Sequence, residues 1–423
     1  MKKRILLIGY NFFPEPTGIG RYSGDTLFWF AENGYDCSVI TSYPYYPYWE
    51  VQQPYSKNKY WFKKESIQIE NGATITVYRC PMYVPKNPSG VKRIILDFTF
   101  LLAAAFQLIS LSKKPKYDAI ITVVPSFLIG ILGVIYKKFN PTNLVYHVQD
   151  LQIEAARDLN MIKNKSLIDW MFKIEKYILK NCNIVTCVGD GMARIIQPKV
   201  KKAVQLFLNP VDSKLIYPIH HKDELKVKYG FKSSDTILLY SGAIGEKQGI
   251  EAILYAAKEF EKLNNLCFVI CGSGPYKVRL QALAESLGLK NVRFLPLQPS
   301  ASFNEFLNVA DIHFVIQKAN ASDLVMPSKL AAILAVGGVA IITANEGSSL
   351  HDLVTRYDLA VLAEAENQEA LNDSIKKALF NDNTQIKRNA RQYAEEALER
   401  EVVMKKFEQL LFKNAQVGQA TLP

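Results

Sequence analysis

Short apolar runs, each closed by a polar or glycine-rich turn and followed by a stretch of helical period, recur along most of the 423-residue chain. The first run, residues 4–9, is followed by a loop over 10–20, a helical pattern from Arg21 closed by Gly34, and a second run at 37–41. Runs at 119–123, 143–147 and 183–188 alternate with helical patterns from Ser126 and from about Ser166. A second series begins at Thr236, with runs at 236–239, 266–271, 291–295 and 311–315. The intervening helical patterns start near Ile250, run from Pro275 to Leu287, cover 303–309, and run from Pro327 to about Val336. Buried strands alternating with amphipathic helices predict an α/β protein with doubly wound parallel sheets. Residues 383–413 form a long helical pattern with a break near Leu398.

The length is too great for one ordinary core and suits two domains. The turn Asn209-Pro210-Val211-Asp212 reads as the linker, which gives domains at 1–208 and 213–397. Charge separates them further: residues 1–203 carry 27 basic and 15 acidic side chains, so the whole net charge of +11 sits in the first half. A basic half points to an anionic partner surface, nucleic acid or phospholipid. An obvious recognition helix or RNA-stacking motif is missing, which disfavours nucleic acid. The six cysteines form no C-x-x-C pair and lie mostly in strand-like runs, as core residues of a reducing compartment do. The apolar run after Met1-Lys2-Lys3 stops at Gly9, too short for a signal peptide and suited to a first buried strand.

Candidate chemistry concentrates at strand ends. Tyr240-Ser241-Gly242-Ala243-Ile244-Gly245-Glu246-Lys247-Gln248-Gly249 joins a strand to a helix, so glycines, helix-start N–H groups and the Lys247 ammonium favour an anion such as a diphosphate. A second anion site is expected at Pro327-Ser328-Lys329, with Ser328 and Lys329 in the exposed first turn of a helix. Asp323 just before it is placed to accept hydrogen bonds from sugar hydroxyls. In the first half, Gly18 and Gly20 do not complete G-x-G-x-x-G, which disfavours a nicotinamide dehydrogenase. His147 ends a strand with Gln149 and Asp150 behind it, a position for taking or orienting a proton or for a structural role. The loop 43–61, with Tyr45, Tyr46, Tyr48 and Trp49, suits a sugar face, a lipid interface or simple packing. Residues 94–111 are the most apolar helix, flanked by lysines and interrupted by Asp97; a buried or partly membrane-dipping helix is expected rather than a span. No paired carboxylates suit a divalent metal, so none is expected.

The motifs Pro16-Thr17-Gly18-Ile19-Gly20-Arg21-Tyr22, Asn209-Pro210-Val211-Asp212, Gly245-Glu246-Lys247-Gln248-Gly249 and Val269-Ile270-Cys271-Gly272-Ser273-Gly274-Pro275 resemble those of retaining GT-B glycosyltransferases of family 4, over nearly the whole chain. Tyr46-Pro47-Tyr48-Trp49 and Val325-Met326-Pro327-Ser328-Lys329-Leu330 look most like the colanic acid biosynthesis fucosyltransferases. The resemblance implies two Rossmann-like domains facing across a cleft, with a C-terminal helix, about 398–413, crossing back to the first. Donor contacts are expected from Gly18, Gly20, Ser241, Gly242, Gly245, Glu246, Lys247, Gln248, Gly272, Asp323, Met326, Pro327, Ser328, Lys329 and Leu330, with Ala321 and Lys329 standing where family members usually carry two glutamates and Asp323 as the substitute acid. Acceptor contacts are expected from Tyr45, Tyr46, Tyr48, Trp49, Gln149 and Asp150, and catalytic roles for His147, Lys247 and Lys329. The implied reaction moves a sugar, GDP-fucose being the favoured donor, to a lipid-linked oligosaccharide at the cytoplasmic face of the plasma membrane, with no cofactor and with the basic first domain on the anionic surface.

Overall fold

A computed structural model describes residues 2–16, 18–158, 162, 164–319 and 327–412. The chain forms two compact units, one of residues up to Leu208 together with those from Met404 on, the other of residues 209–403.

In the first unit the order is β1 (Arg4–Ile8), α1 (Gly18–Glu32), β2 (Asp36–Ser42), β3 (Lys63–Gln68), β4 (Thr74–Cys80), α2 (Gly90–Ser110), β5 (Ala119–Val124), α3 (Ile129–Phe139) and β6 (Asn143–Val148). There follow α4 (Gln152–Asp158), α5 (Lys165–Asn181), β7 (Ile184–Cys187), α6 (Asp190–Ile196) and β8 (Gln205–Leu206). The second unit holds α7 (Lys222–Lys228), β9 (Thr236–Ala243), α8 (Glu251–Glu259), β10 (Leu266–Ser273), α9 (Lys277–Ser286), β11 (Val292–Leu295), α10 (Phe303–Val309) and β12 (Ile312–Val315). It closes with α11 (Leu330–Ala335), β13 (Val339–Thr343), α12 (Ser349–Tyr357), β14 (Val361–Ala363), α13 (Gln368–Phe380) and α14 (Thr384–Tyr393). A π turn at Ala394–Leu398 and an extended Glu399 separate α14 from α15 (Arg400–Phe412), so the expected break near Leu398 is present.

The first sheet runs β3-β4-β2-β1-β5-β6-β7-β8 and the second β11-β10-β9-β12-β13-β14. Every pairing is parallel except β3 with β4. Strands such as β5, apolar throughout apart from Thr122, are buried on both faces, as a sheet covered by helices requires. The hairpin β3–β4 has no counterpart in the hydrophobic pattern. Lys63-Lys64-Glu65-Ser66-Ile67-Gln68 is a polar edge strand whose burial merely alternates between partial and none. Helix α1 is assigned from Gly18 rather than from Arg21, with Gly18 itself left-handed at φ +63, so Gly20 belongs to its first turn.

Arg79 on β4 fastens that hairpin to the strand ends. Its buried guanidinium donates to Glu65 Oε1 at 2.8 Å, to the Ser42 carbonyl at 3.1 Å and to the Phe13 carbonyl at 2.7 Å. It thereby ties the edge strand, the end of β2 and the loop after β1. Breaking one partner of a buried ion pair strands the others, at about 3–5 kcal/mol. Arg79→Met is therefore expected to lower unfolding stability by about 3 kcal/mol, measured by urea denaturation against the parent chain.

Candidate active site

In the second unit the chain moves outward from β9 through β10 to β11, then returns to the other side of β9 for β12, β13 and β14. The loops leaving β9 and β12 therefore diverge at their carboxyl ends, the place where open α/β sheets bind ligands. Lys329, one residue before α11, points its ammonium into this edge, with Nζ 3.4 Å from the centroid of the Tyr240 ring. Tyr240 is itself fixed, because its hydroxyl donates to the Ala243 carbonyl at 2.7 Å. Although the residue as a whole is partly exposed, its Nζ is shut off from solvent and has no hydrogen-bond partner among the described residues. Burial pushes the ammonium down to about 7.

Other polar atoms at this edge are also buried without partners: Ser273 Oγ at the end of β10, Glu251 Oε2 at the start of α8, and Gln317 Nε2 just past β12. Unsatisfied buried groups are uncommon, and these three lie near the carboxyl ends of the strands, though atoms of the same kind also occur elsewhere, as at Ser126 and Thr142. None of these three was singled out from the sequence as a site residue, since nothing in the linear pattern shows that a polar group will lack a partner.

The glycines at this edge do more than admit a ligand. A Cβ at Gly272 would lie 1.9 Å from the Gly242 carbonyl oxygen, and one at Gly274 would lie 2.1 Å from that of Ile244. The ends of β9 and β10 and the residues just past them thus pack backbone against backbone, which alone requires glycine there. Gly245 N–H is engaged by Gln248 Oε1 at 3.0 Å, closing a single turn over Glu246–Gln248. That turn and Gly249 separate the loop from α8, so the expected direct run from glycine loop into helix start is corrected.

Ser241 is half-buried, while Glu246 and Ser328 are exposed and Pro327 lies beside α11. Lys329 departs from the expectation of an exposed first turn, because the ring of Tyr240 covers it. Leu330 is a core residue with its N–H held by the Pro327 carbonyl at 3.0 Å. The Lys247 side chain, Asp323 and Met326 lie outside the described residues.

In the first unit the carboxyl ends of β1, β2 and β6 carry a second polar group of residues. Glu15 is buried and accepts from Asn11 Nδ2 at 2.8 Å, Tyr45 N at 3.1 Å and Tyr46 N at 3.0 Å. Burial still lifts its carboxyl to about 7. A Cβ at Gly20 would sit 2.3 Å from Glu15 Oε2, so Gly20 is needed to seat that carboxyl and is not an open approach to a ligand. Gly18, with φ +63, lies under the Tyr46 ring. Tyr45 is buried edge-on to Tyr10 and Trp49, and Arg93 lies 5.2 Å over Trp49. Tyr48 is exposed and Tyr46 and Asp150 are half-buried, so those three remain open to a ligand.

His147 does not present a free ring. Nδ1 lies 2.9 Å from Thr186 Oγ1, Nε2 lies 2.9 Å from Gln149 Nε2, and Phe207 packs 4.9 Å away. Because the Gln149 amide nitrogen is a donor, Nε2 accepts and Nδ1–H donates to Thr186. Burial drives the imidazole to about 3, leaving it neutral near pH 7. The ring is thus a buried, neutral histidine held between Thr186 and the buried Gln149.

Two Rossmann-like units with an anion-type edge in the second define a GT-B glycosyltransferase architecture. The chain belongs to the glycosyl transferases group 1 family, whose model matches residues 221–397. It is 36% identical over 414 residues, 96% of this chain and 98% of the relative, to the colanic acid biosynthesis glycosyl transferase named WcaI from Escherichia coli (strain K12). It is 22% identical over 330 residues, 75% of this chain and 81% of the relative, to 2-deoxystreptamine N-acetyl-D-glucosaminyltransferase from Niallia circulans. In fold it matches sucrose-phosphate synthase from Thermosynechococcus elongatus with TM-score 0.75 at 16% identity, over 99% of this chain and 100% of that one. WaaG, a glycosyltransferase involved in lipopolysaccharide biosynthesis, matches with TM-score 0.67 at 16% identity, over 96% and 99%.

Two expectations follow from the buried bases. Between about pH 7 and the unfolded lysine value of 10.5 the folded chain has released the Lys329 proton and the unfolded chain still holds it, so this group adds stability as pH rises. Urea unfolding at pH 7 and pH 9 should show that rise in the parent and a smaller one in Lys329→Met. His147→Ala should cost about 2–3 kcal/mol by cavity and lost hydrogen bonds and leave the shape of the pH–rate profile unchanged, since the parent ring is already neutral.

Proposed function

We propose that this glycosyltransferase moves a sugar from a nucleotide-diphosphate donor, GDP-fucose being the favoured one, to a hydroxyl of a lipid-linked oligosaccharide during assembly of a colanic-acid-like exopolysaccharide. The observation that carries this reading is the buried Lys329 ammonium near the carboxyl end of β9, which has no hydrogen-bond partner among the described residues. An ammonium without a partner is costly unless an anion completes it. The near-full-length likeness to WcaI supports the polysaccharide context.

The second unit holds the donor. As the bond from sugar to phosphate breaks, positive charge grows on the ring and negative charge on the leaving diphosphate. Lys329, with Lys247 on the neighbouring loop, meets that negative charge in a site where water is scarce, and the interaction is correspondingly strong. Acceptor attack from the face the diphosphate leaves, with the departing phosphate taking the hydroxyl proton, gives retention. These lysines make a divalent ion dispensable. In the first unit Tyr46, Tyr48, Trp49 and Asp150 bind the acceptor sugar, and the chain works at the cytoplasmic face of the plasma membrane.

Offering purified protein a panel of GDP-, UDP- and dTDP-sugars with a lipid-linked acceptor should show GDP-fucose consumed, in excess EDTA as well as without it. Consumption of a UDP-hexose instead would keep the reaction class and replace the donor. No consumption of any panel member would favour a non-catalytic partner in polysaccharide assembly. Lys329→Met should lower kcat about a hundredfold. A diphosphate placed beside Lys329 restores its proton, so donor binding at pH 8 should take up protons, seen by calorimetry in buffers of different ionisation enthalpy. The uptake should shrink in the variant.

A further inference from the structure

Helix α2 carries two opposed apolar stripes. Leu96, Phe100, Ala104 and Leu108 pack inward beside the buried Asp97, which accepts from Gln152 Nε2 at 2.6 Å, and Phe100 meets the Tyr10 ring edge-on at 5.7 Å. Val91, Ile95, Phe98, Leu102, Phe106 and Ile109 recur at the three- and four-residue spacing of a single helical face, and all six are exposed, Ile109 at 70%. The stripe continues into the loop before β3: Phe62 packs against Phe106 at 5.3 Å, and beside it Tyr60 and Trp61 stand 74% and 73% exposed. A contiguous apolar surface of this kind on a water-facing helix marks an interaction site.

Charge around the patch decides between occupants. Residues 51–116 contain eleven Lys and Arg against three Asp and Glu, and one of those acids, Asp97, is buried. Lys92 lies in the first turn of α2 and Lys113 and Lys116 just beyond its end, while Lys57 and Lys64 flank the aromatic tip. An apolar stripe bordered by lysines, with Tyr and Trp beside it, is the composition of a helix lying in the plane of an anionic bilayer. A second copy of this chain would set the same lysines against one another. The helix is long and apolar enough to cross a membrane, with mean hydropathy 1.6. Crossing would nevertheless pull Asp97 and Phe100 out of the core, so it lies flat.

We propose that the outer face of α2, extended by Tyr60, Trp61 and Phe62, is a monolayer-docking surface that seats the first unit on anionic phospholipid. It gives physical content to the membrane-face placement above, yet it stands on this surface alone and is read by an assay that involves no sugar.

The test uses the full chain with sedimenting vesicles of phosphatidylcholine alone and of phosphatidylcholine with about 30% phosphatidylglycerol. Binding to the anionic vesicles should be strong and to the neutral ones weak. Phospholipids brominated near the top of the acyl chain should quench tryptophan emission, and Trp61→Phe should remove most of that quenching. The triple variant Leu102→Ser, Phe106→Ser, Ile109→Ser changes exposed positions only, so it should keep the parental melting temperature and bind anionic vesicles about tenfold or more weakly. Lys57→Glu with Lys64→Glu should weaken binding and flatten its salt dependence. Equal sedimentation of parent and triple variant would overturn the proposal. So would an absence of vesicle binding combined with concentration-dependent self-association that the triple variant abolishes, which would make the stripe an interface between copies.

Discussion

A lysine amine held against an aromatic ring, with no hydrogen-bond acceptor among the described residues, is the constraint around which the second unit makes sense. The ring of Tyr240 offers Lys329 a weakly attractive face at 3.4 Å, worth about 1–2 kcal/mol, less than the cost of removing a charge from water. Tyr240 is held by its bond to the Ala243 carbonyl, and a Cβ at Gly242 would lie 3.3 Å from Lys329 Nζ, so the glycine leaves room for the amine. An incoming anion therefore meets a buried amine that takes up its proton as the anion binds, with no salt bridge among the described residues to break first. Pre-organised charge of this sort is what a reaction with a phosphate leaving group needs.

The first unit solves the opposite problem. There, two carboxyls near the strand ends are buried with donors at hand, Glu15 with one amide side chain and two backbone N–H groups, Asp97 with Gln152. These groups are satisfied and hold loops in place. Arg79 does the same from beneath, through the carbonyls of Ser42 and Phe13. The exposed or half-buried residues at those strand ends, Tyr46, Tyr48 and Asp150, thus sit on a rigid base, the arrangement that favours precise placement of a sugar.

Much of the architecture was legible because it rests on periodicity. Runs such as Ala119–Val124 and Leu266–Ser273 are apolar enough to be read as buried strands, and the short helix Phe303–Val309 was placed at its observed bounds. The hairpin β3–β4 was not legible: Lys63–Gln68 is an edge strand with solvent on one side, and its pairing is set by Arg79 and Glu65, contacts between residues far apart in sequence. The site was legible as a location, since glycines and strand ends mark it, but not as chemistry. Sequence places Lys329 near a helix start and His147 at a strand end without saying which way either side chain turns. Lys329 turned inward beneath solvent, and His147 turned into a cage of Thr186, Gln149 and Phe207.

Helix α2 shows the same limit from the other side. Summed over its length, hydropathy describes a segment able to cross a membrane, and a sum has no direction. Fold supplies the direction: the stripe containing Leu96, Phe100 and Leu108 is spent on the core, and what remains is one apolar face on a helix fixed to a sheet. Transfer of apolar area from water is worth about 25 cal/mol per Å², so several exposed large side chains on one face together carry a driving force that single scattered ones do not. Lysines at both ends of the helix would oppose burial of its termini in hydrocarbon, yet they favour contact with phosphate headgroups. The same residues therefore argue against a span and for an interface, and only their arrangement around a half-buried helix separates the two.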